Sequence, residues 1–183
     1  MDKISIEHLS VFGLPPVQLV NLAADLGCQY ISIALTPITP FNPHNYPLFS
    51  LKDDLNLRRE MKAAMRDRGV SLSLGSGYIL TPEKDAHTYA GHLDAMADLG
   101  VRCVNSINLD REVPRAFDNF GKLAEMAAAV GIETTVEIIP GHLVGDLASG
   151  VACVRHVGRK DFRLNIDTMH VARAGGTAAE LKA

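Results

Sequence analysis

Residues 117–141 read FDNFGKLAEMAAAVGIETTVEIIPG: one helix, one stop and one strand in succession. Apolar residues recur at helical spacing up to Val130, and Gly131 then supplies the left-handed position at which a helix ends. The run Glu133–Ile139 that follows is rich in β-branched residues and reads as a strand. Outward from this unit the same pattern repeats. Strands are expected at Ile4–Ser10, Tyr30–Leu35, Val70–Gly75, Cys103–Leu109, Glu133–Ile139 and Phe162–Asp167. Helices are expected at Pro15–Leu26, Lys52–Arg68, Glu83–Leu99, Pro114–Val130 and Asp146–Val157, closed by Gly27, Gly69, Gly100, Gly131 and Gly158. Strands that alternate with helices form a parallel sheet, because parallel neighbours need a helical crossover. The fold class is α/β.

An open doubly wound sheet and a closed barrel both fit that alternation. A dinucleotide-binding sheet carries GxGxxG in its first turn, whereas this turn reads HLSVFGLPP, and no GxxxxGK[ST] occurs. Polar residues instead gather at or just after the strand ends: His8, Tyr78, Asn108, Glu137, His142, Asp167 and His170. Function at the C-terminal face is the habit of a (β/α)-barrel of the TIM type. Eight units of about 30 residues make about 250 in such a barrel. The 183 residues supply six, so the reading is a single domain over 1–183 lacking its C-terminal two βα units. The raw edges of such a sheet would favour association, for instance as a homo-oligomer.

Bulk properties exclude several classes. A net charge of −3 is the wrong sign for a nucleic-acid partner. Cys28, Cys103 and Cys153 form no CxxC pair and read as buried free thiols. No signal-peptide pattern and no apolar run long enough for a membrane span is visible, so a cytoplasmic location is expected.

Side chains alternate along a strand, so Thr135 and Glu137 share one face while Val136 and Ile138 share the other. In the sixth strand Asn165 and Asp167 likewise oppose Leu164 and Ile166. With the apolar set against the helices, two carboxylates, Glu137 and Asp167, point into one cavity from adjacent strands. Close carboxylates repel unless one is protonated or a cation lies between them. Oxygen ligands suit Mg²⁺ or Mn²⁺, and an added imidazole admits Co²⁺ or Zn²⁺. The bland alternative is that Glu137 pairs with a buried Lys or Arg. His170, in the loop after the strand, belongs to the frame DTMHVARAG with Arg173, a candidate grip for an anionic oxygen or a plain solvated charge. His142, after Pro140-Gly141, is a weaker candidate for substrate contact. His87 and His92 read as surface or packing residues, and the proline-rich segment 36–47 with His44 as a long loop of the kind that forms lids.

The stretches SVFGLPPVQLVNLAADLGCQYISI, FDNFGKLAEMAAAVGIETTVEIIPG and LNIDTMHVARAGG resemble the sugar-phosphate isomerase/epimerase branch of the xylose isomerase-like TIM barrels. The resemblance implies one divalent metal, held in part by Glu137 and Asp167. It implies that His170 contacts substrate oxygens and that Glu137 is one of two glutamates exchanging a proton beside a carbonyl. The family's remaining ligands lie on strands seven and eight, which this reading does not find, so the chain alone is expected to be inactive. The implied activity is isomerisation or epimerisation of a small sugar or polyhydroxy ketone. Alternatives are a metal-dependent lyase or dehydratase acting on a cyclic keto acid, and a non-catalytic truncated barrel. An apurinic endonuclease would need early-strand histidines that SLGSGY and VNSINL do not supply.

Overall fold

The computed structural model describes residues 4–182. Among these, six strands, β1 (Ser5–Glu7), β2 (Tyr30–Ala34), β3 (Ser71–Leu80), β4 (Cys103–Asn108), β5 (Glu133–Glu137) and β6 (Phe162–Asn165), alternate with helices. The helices are α1 (Pro16–Asp25), α2 (Leu55–Arg68), α3 (Ala90–Asp98), α4 (Val113–Ala129), α5 (Leu147–Val157) and α6 (Thr168–Arg173). The sheet runs in chain order from β1 to β6. The pairs β1–β2, β2–β3 and β5–β6 are parallel. Chain order without a reversal is the topology of a TIM-type barrel and not of a doubly wound sheet. No helix among the described residues is long and apolar enough to cross a membrane.

The chain divides into two compact units, Met1–Gly77 with Gly91–Cys103 and Tyr78–Ala90 with Val104–Ala183. In the first, α1 buries Leu19, Val20 and Ala23, and β2 buries Ile31 and Ile33. The Asp54 side chain caps α2 by accepting from Asn56 N and Leu57 N. Gly69 closes α2 at φ 67°. The other four expected stops, Gly27, Gly100, Gly131 and Gly158, also have positive φ. The proline-rich loop is anchored, since Asn42 Nδ2 donates to Tyr46 O (2.7 Å) and Asn42 Oδ1 accepts from Tyr46 N (3.0 Å). Phe41 meets Phe12 edge-on at 5.0 Å.

In the second unit α4 buries Phe117, Phe120, Leu123, Ala124 and Ala127. Phe120 lies 5.9 Å from Phe162 of β6, and burying rings of that size contributes about 1.5–3 kcal/mol each. Helix α5 begins with a reciprocal capping box between Asp146 and Ser149. It approaches the sheet closely at Gly150, where a Cβ would stand 2.8 Å from Leu164 Cδ2 and 3.3 Å from Ile138 Cγ1. Val136 and Ile138 are fully buried. Thr135 and Glu137 are therefore left to the opposite face, as alternation requires.

Several expectations are corrected, beginning with element boundaries. The strand expected to run to Ser10 ends at Glu7, and His8–Ser10 form a 3-10 turn. The strand expected to end at Gly75 runs on to Leu80. The helix expected over Glu83–Leu99 is a 3-10 turn, Ala86–Tyr89, followed by α3; Asp85 caps that turn through His87 N. The Tyr89 hydroxyl also holds it to the backbone of Ile79, accepting from N at 2.8 Å and donating to O at 2.7 Å. All three cysteines are free, but only Cys153 is fully buried, and burial pushes its thiol up to about 12.

Candidate functional site

Glu137 is the last residue of β5 and faces away from α5. On β4, Val104, Ser106 and Asn108 are buried while Asn105 lies half-buried on the other face. Asn105 Nδ2 donates to Glu137 Oε2 at 2.6 Å. β6 stops at Asn165, which pairs in register with Glu137. Asp167 therefore lies beyond the strand, as the N-cap of α6. Its Oδ1 accepts from Met169 N (2.8 Å) and His170 N (3.1 Å). His170 thus stands in a helix and not in a loop, because the strand-end aspartate caps the very turn that carries it. Both capping bonds use Oδ1, so Oδ2 takes no part in them.

These elements bring Glu137, Asp167 and His170 together, with one potential ligand atom from each lying within 4.8 Å of the others. His170 Nε2 is 3.9 Å from Glu137 Oε1, and the two side chains are 19% and 20% exposed. His170 Nδ1 is buried without a hydrogen-bond partner. Two carboxylates and an imidazole of this burial form a donor set that suits a divalent cation.

The other candidates lie outside that group. His142 is exposed in the turn after β5, where its N–H donates to Ile139 O at 3.1 Å. It lines a cleft of about 480 Å³ with Asp110 and Arg111. Asp110 is committed to Arg115 Nε and Nη2 at 2.5 and 2.7 Å. That guanidinium is the main cause holding the Asp110 carboxyl at about 2. Arg173 is exposed in the last turn of α6, where a cation suits the helix C-terminus.

Among the strand-end polar residues, Asn108 is structural. It donates to Ala116 O (3.1 Å) and accepts from Asp110 N (2.9 Å). Tyr78 is 2% exposed, packs on Tyr89 at 4.9 Å, and has a hydroxyl without a partner. His8 contacts Glu7 at 2.6 Å. The residue that sequence reasoning passed over is Asn105; alternation along VNSIN, applied as it was to β5, separates it from Asn108. A cleft of about 540 Å³ in the first unit is lined by Phe12, Asn21, Asp25, His44 and Tyr46. No metal-ligating cluster occurs there among the described residues.

A family model described as xylose isomerase-like TIM barrel matches residues 20–183. No curated protein matches the sequence. Among solved structures, the IolI protein with a bound zinc atom is 18% identical with a TM-score of 0.78, over 99% of this chain and 68% of that one. The probable 3-DHS dehydratase AsbF of petrobactin synthesis from Bacillus anthracis is 15% identical with a TM-score of 0.71, over 96% and 66%. A D-psicose 3-epimerase determined in the presence of D-fructose is 17% identical with a TM-score of 0.71, over 92% and 64%. The chain spans about two thirds of the length of these structures, and the likeness is one of fold.

Proposed function

The chain belongs to the xylose isomerase-like TIM barrel family, and on that premise we propose that it is a metal-dependent isomerase or epimerase of a small sugar or related polyhydroxy ketone. The observation that carries the reading is the convergence of Glu137, Asp167 and His170 within 4.8 Å. Glu137 and Asp167 would hold one divalent cation, Mn²⁺, Mg²⁺, Co²⁺ or Zn²⁺, with Asp167 offering the oxygen that its capping bonds do not use. The cation, when bound, polarises a carbonyl and stabilises negative charge on its oxygen.

The remaining chemistry belongs to the side chains. Glu137 takes the proton from the carbon next to the carbonyl, which needs a carboxylate in reach and largely shielded from water. His170 binds a substrate oxygen through its imidazole and fixes the angle at which the C–H bond meets Glu137. His142 and Arg173 are assigned to outer parts of the substrate, since both are exposed. The zinc atom of the IolI structure and the ketose present with the epimerase support this choice of cation and substrate.

The test is hydrogen exchange. Incubated with Mn²⁺ and a panel of ketoses in D₂O, a version carrying all eight βα units is expected to place deuterium next to the carbonyl of at least one of them, and Glu137→Gln to abolish it, whereas the 183-residue chain alone is expected to place none. Glutamine keeps the shape of the side chain but loses its basicity. Absence of exchange with every ketose in the eight-unit version, or its turnover of a cyclic keto acid with loss of water instead, overturns the reading.

A further inference from the structure

We propose that Asn105 is a positioning residue for Glu137, holding one carboxylate oxygen so that the other is turned toward His170; this rests on the reading of Glu137, Asp167 and His170 as a cation site. Asn105 Nδ2 donates to Oε2 at 2.6 Å, and Oε1 is the oxygen that lies 3.9 Å from His170 Nε2. The amide cannot be turned over without cost. The Thr135 hydroxyl donates to Asn105 Oδ1 at 3.0 Å. Reversing the amide would set an oxygen against Oε2, two acceptors with no proton between them. Thr135 lies on the same face of β5 as Glu137, two residues before it, and its Oγ1 also stands 3.3 Å from the Val104 carbonyl. Donors thus run in one direction, from Thr135 to Asn105 to the carboxylate.

The direction matters because a hydrogen bond to an ionised group is roughly twice as strong as a neutral one. A glutamate has several rotatable bonds, and a carboxylate fixed in advance loses less freedom when it takes up a ligand. Outer partners that orient a ligating group are worth about 10–100-fold in metal affinity.

Calorimetric titration with Mn²⁺ on the wild type and on Glu137→Gln, Asn105→Ala, Thr135→Val and Thr135→Ser tests this, with circular dichroism confirming the fold. Asn105→Ala is expected to weaken Mn²⁺ binding about 10–100-fold. Thr135→Val is expected to weaken it less, and Thr135→Ser, which keeps the hydroxyl, to restore it. In a Glu137→Gln background, adding Asn105→Ala should change affinity by less than about twofold, since its role acts through Glu137. Binding unchanged in Asn105→Ala but lost in Glu137→Gln overturns the positioning role and leaves the cation site standing. Binding indifferent to Glu137→Gln overturns both. Should Asn105→Ala fail to fold, the Thr135 pair decides: no loss on valine substitution overturns the proposal.

Discussion

A glutamate closes β1 in the first unit and another closes β5 in the second, each with a histidine nearby and a hydrogen-bond donor on a neighbouring strand. Glu7 accepts from the Ser32 hydroxyl and contacts His8 Nδ1 at 2.6 Å. Glu137 accepts from Asn105 and faces His170 at 3.9 Å. The difference is a second carboxylate. Burial pushes the Glu7 carboxyl up, but the contacts with His8 and Ser32 outweigh it and hold it below its ordinary value of 4.5. At β5, Asp167 adds a second carboxylate with a ligand atom within 4.8 Å of the first and of the imidazole, a donor set that could hold a metal ion. Among the described residues, the candidate metal-ligating group is thus found where a second carboxylate, the N-cap of α6, joins a strand-end glutamate and a histidine.

The largest effect that would break this comparison comes from Asp167. Asp167→Ala removes both the anion and the cap of α6, so it is expected to weaken Mn²⁺ binding by more than about 100-fold, beyond the range of an outer partner. It should also cost about 1 kcal/mol of stability. Asp167→Ser keeps a capping oxygen, so only the Mn²⁺ loss should persist. Urea denaturation alongside calorimetry separates the two roles, and a serine variant that still binds Mn²⁺ tightly would place the second anion elsewhere.

Glu7→Gln should show the opposite profile. Its carboxylate is 43% exposed and partly screened, so replacing it should cost about 1 kcal/mol at neutral pH, with Mn²⁺ affinity unchanged. The folded-state value is depressed, so the stabilisation is fully present above pH 4.5 and is lost as the pH falls through the lowered value. Wild-type and variant stabilities measured by urea titration should therefore converge in acid. A gap that persists there would mean that the side chain acts through shape and not through charge.

Tyr78 gives the smallest effect and the sharpest control. Burial, with Tyr89 adding to it, raises its hydroxyl well above the ordinary value, and the oxygen has no partner. An unpartnered polar atom alone should not mark a site. Tyr78→Phe is thus expected to leave Mn²⁺ binding unchanged and to shift stability by no more than about 0.5 kcal/mol, or to raise it, since a buried orphan hydroxyl costs free energy. A large destabilisation in thermal melts would show that the hydroxyl has a role that its surroundings do not reveal.

The alternation of strands and glycine-stopped helices, the face shared by Thr135 and Glu137, and the pairing of Glu137 with Asp167 were all legible in the chain. They follow from local rules: a helix period, a strand period of two, and a left-handed residue where each helix turns back. Three matters needed the folded molecule. Asp167 had to leave the strand before it could cap α6 and lift His170 into the group, and where a strand gives way to a helix is set by competition between ladder and capping hydrogen bonds. Asn105 could be joined to Glu137 only through contact between side chains that lie 32 positions apart in the chain. Asn108, equally polar and equally near a strand end, was turned by the same period of two into the cap region of α4. Local sequence sets which face a residue occupies, whereas partners across the sheet depend on register, which is decided only when the outer faces of the strands are packed against their helices.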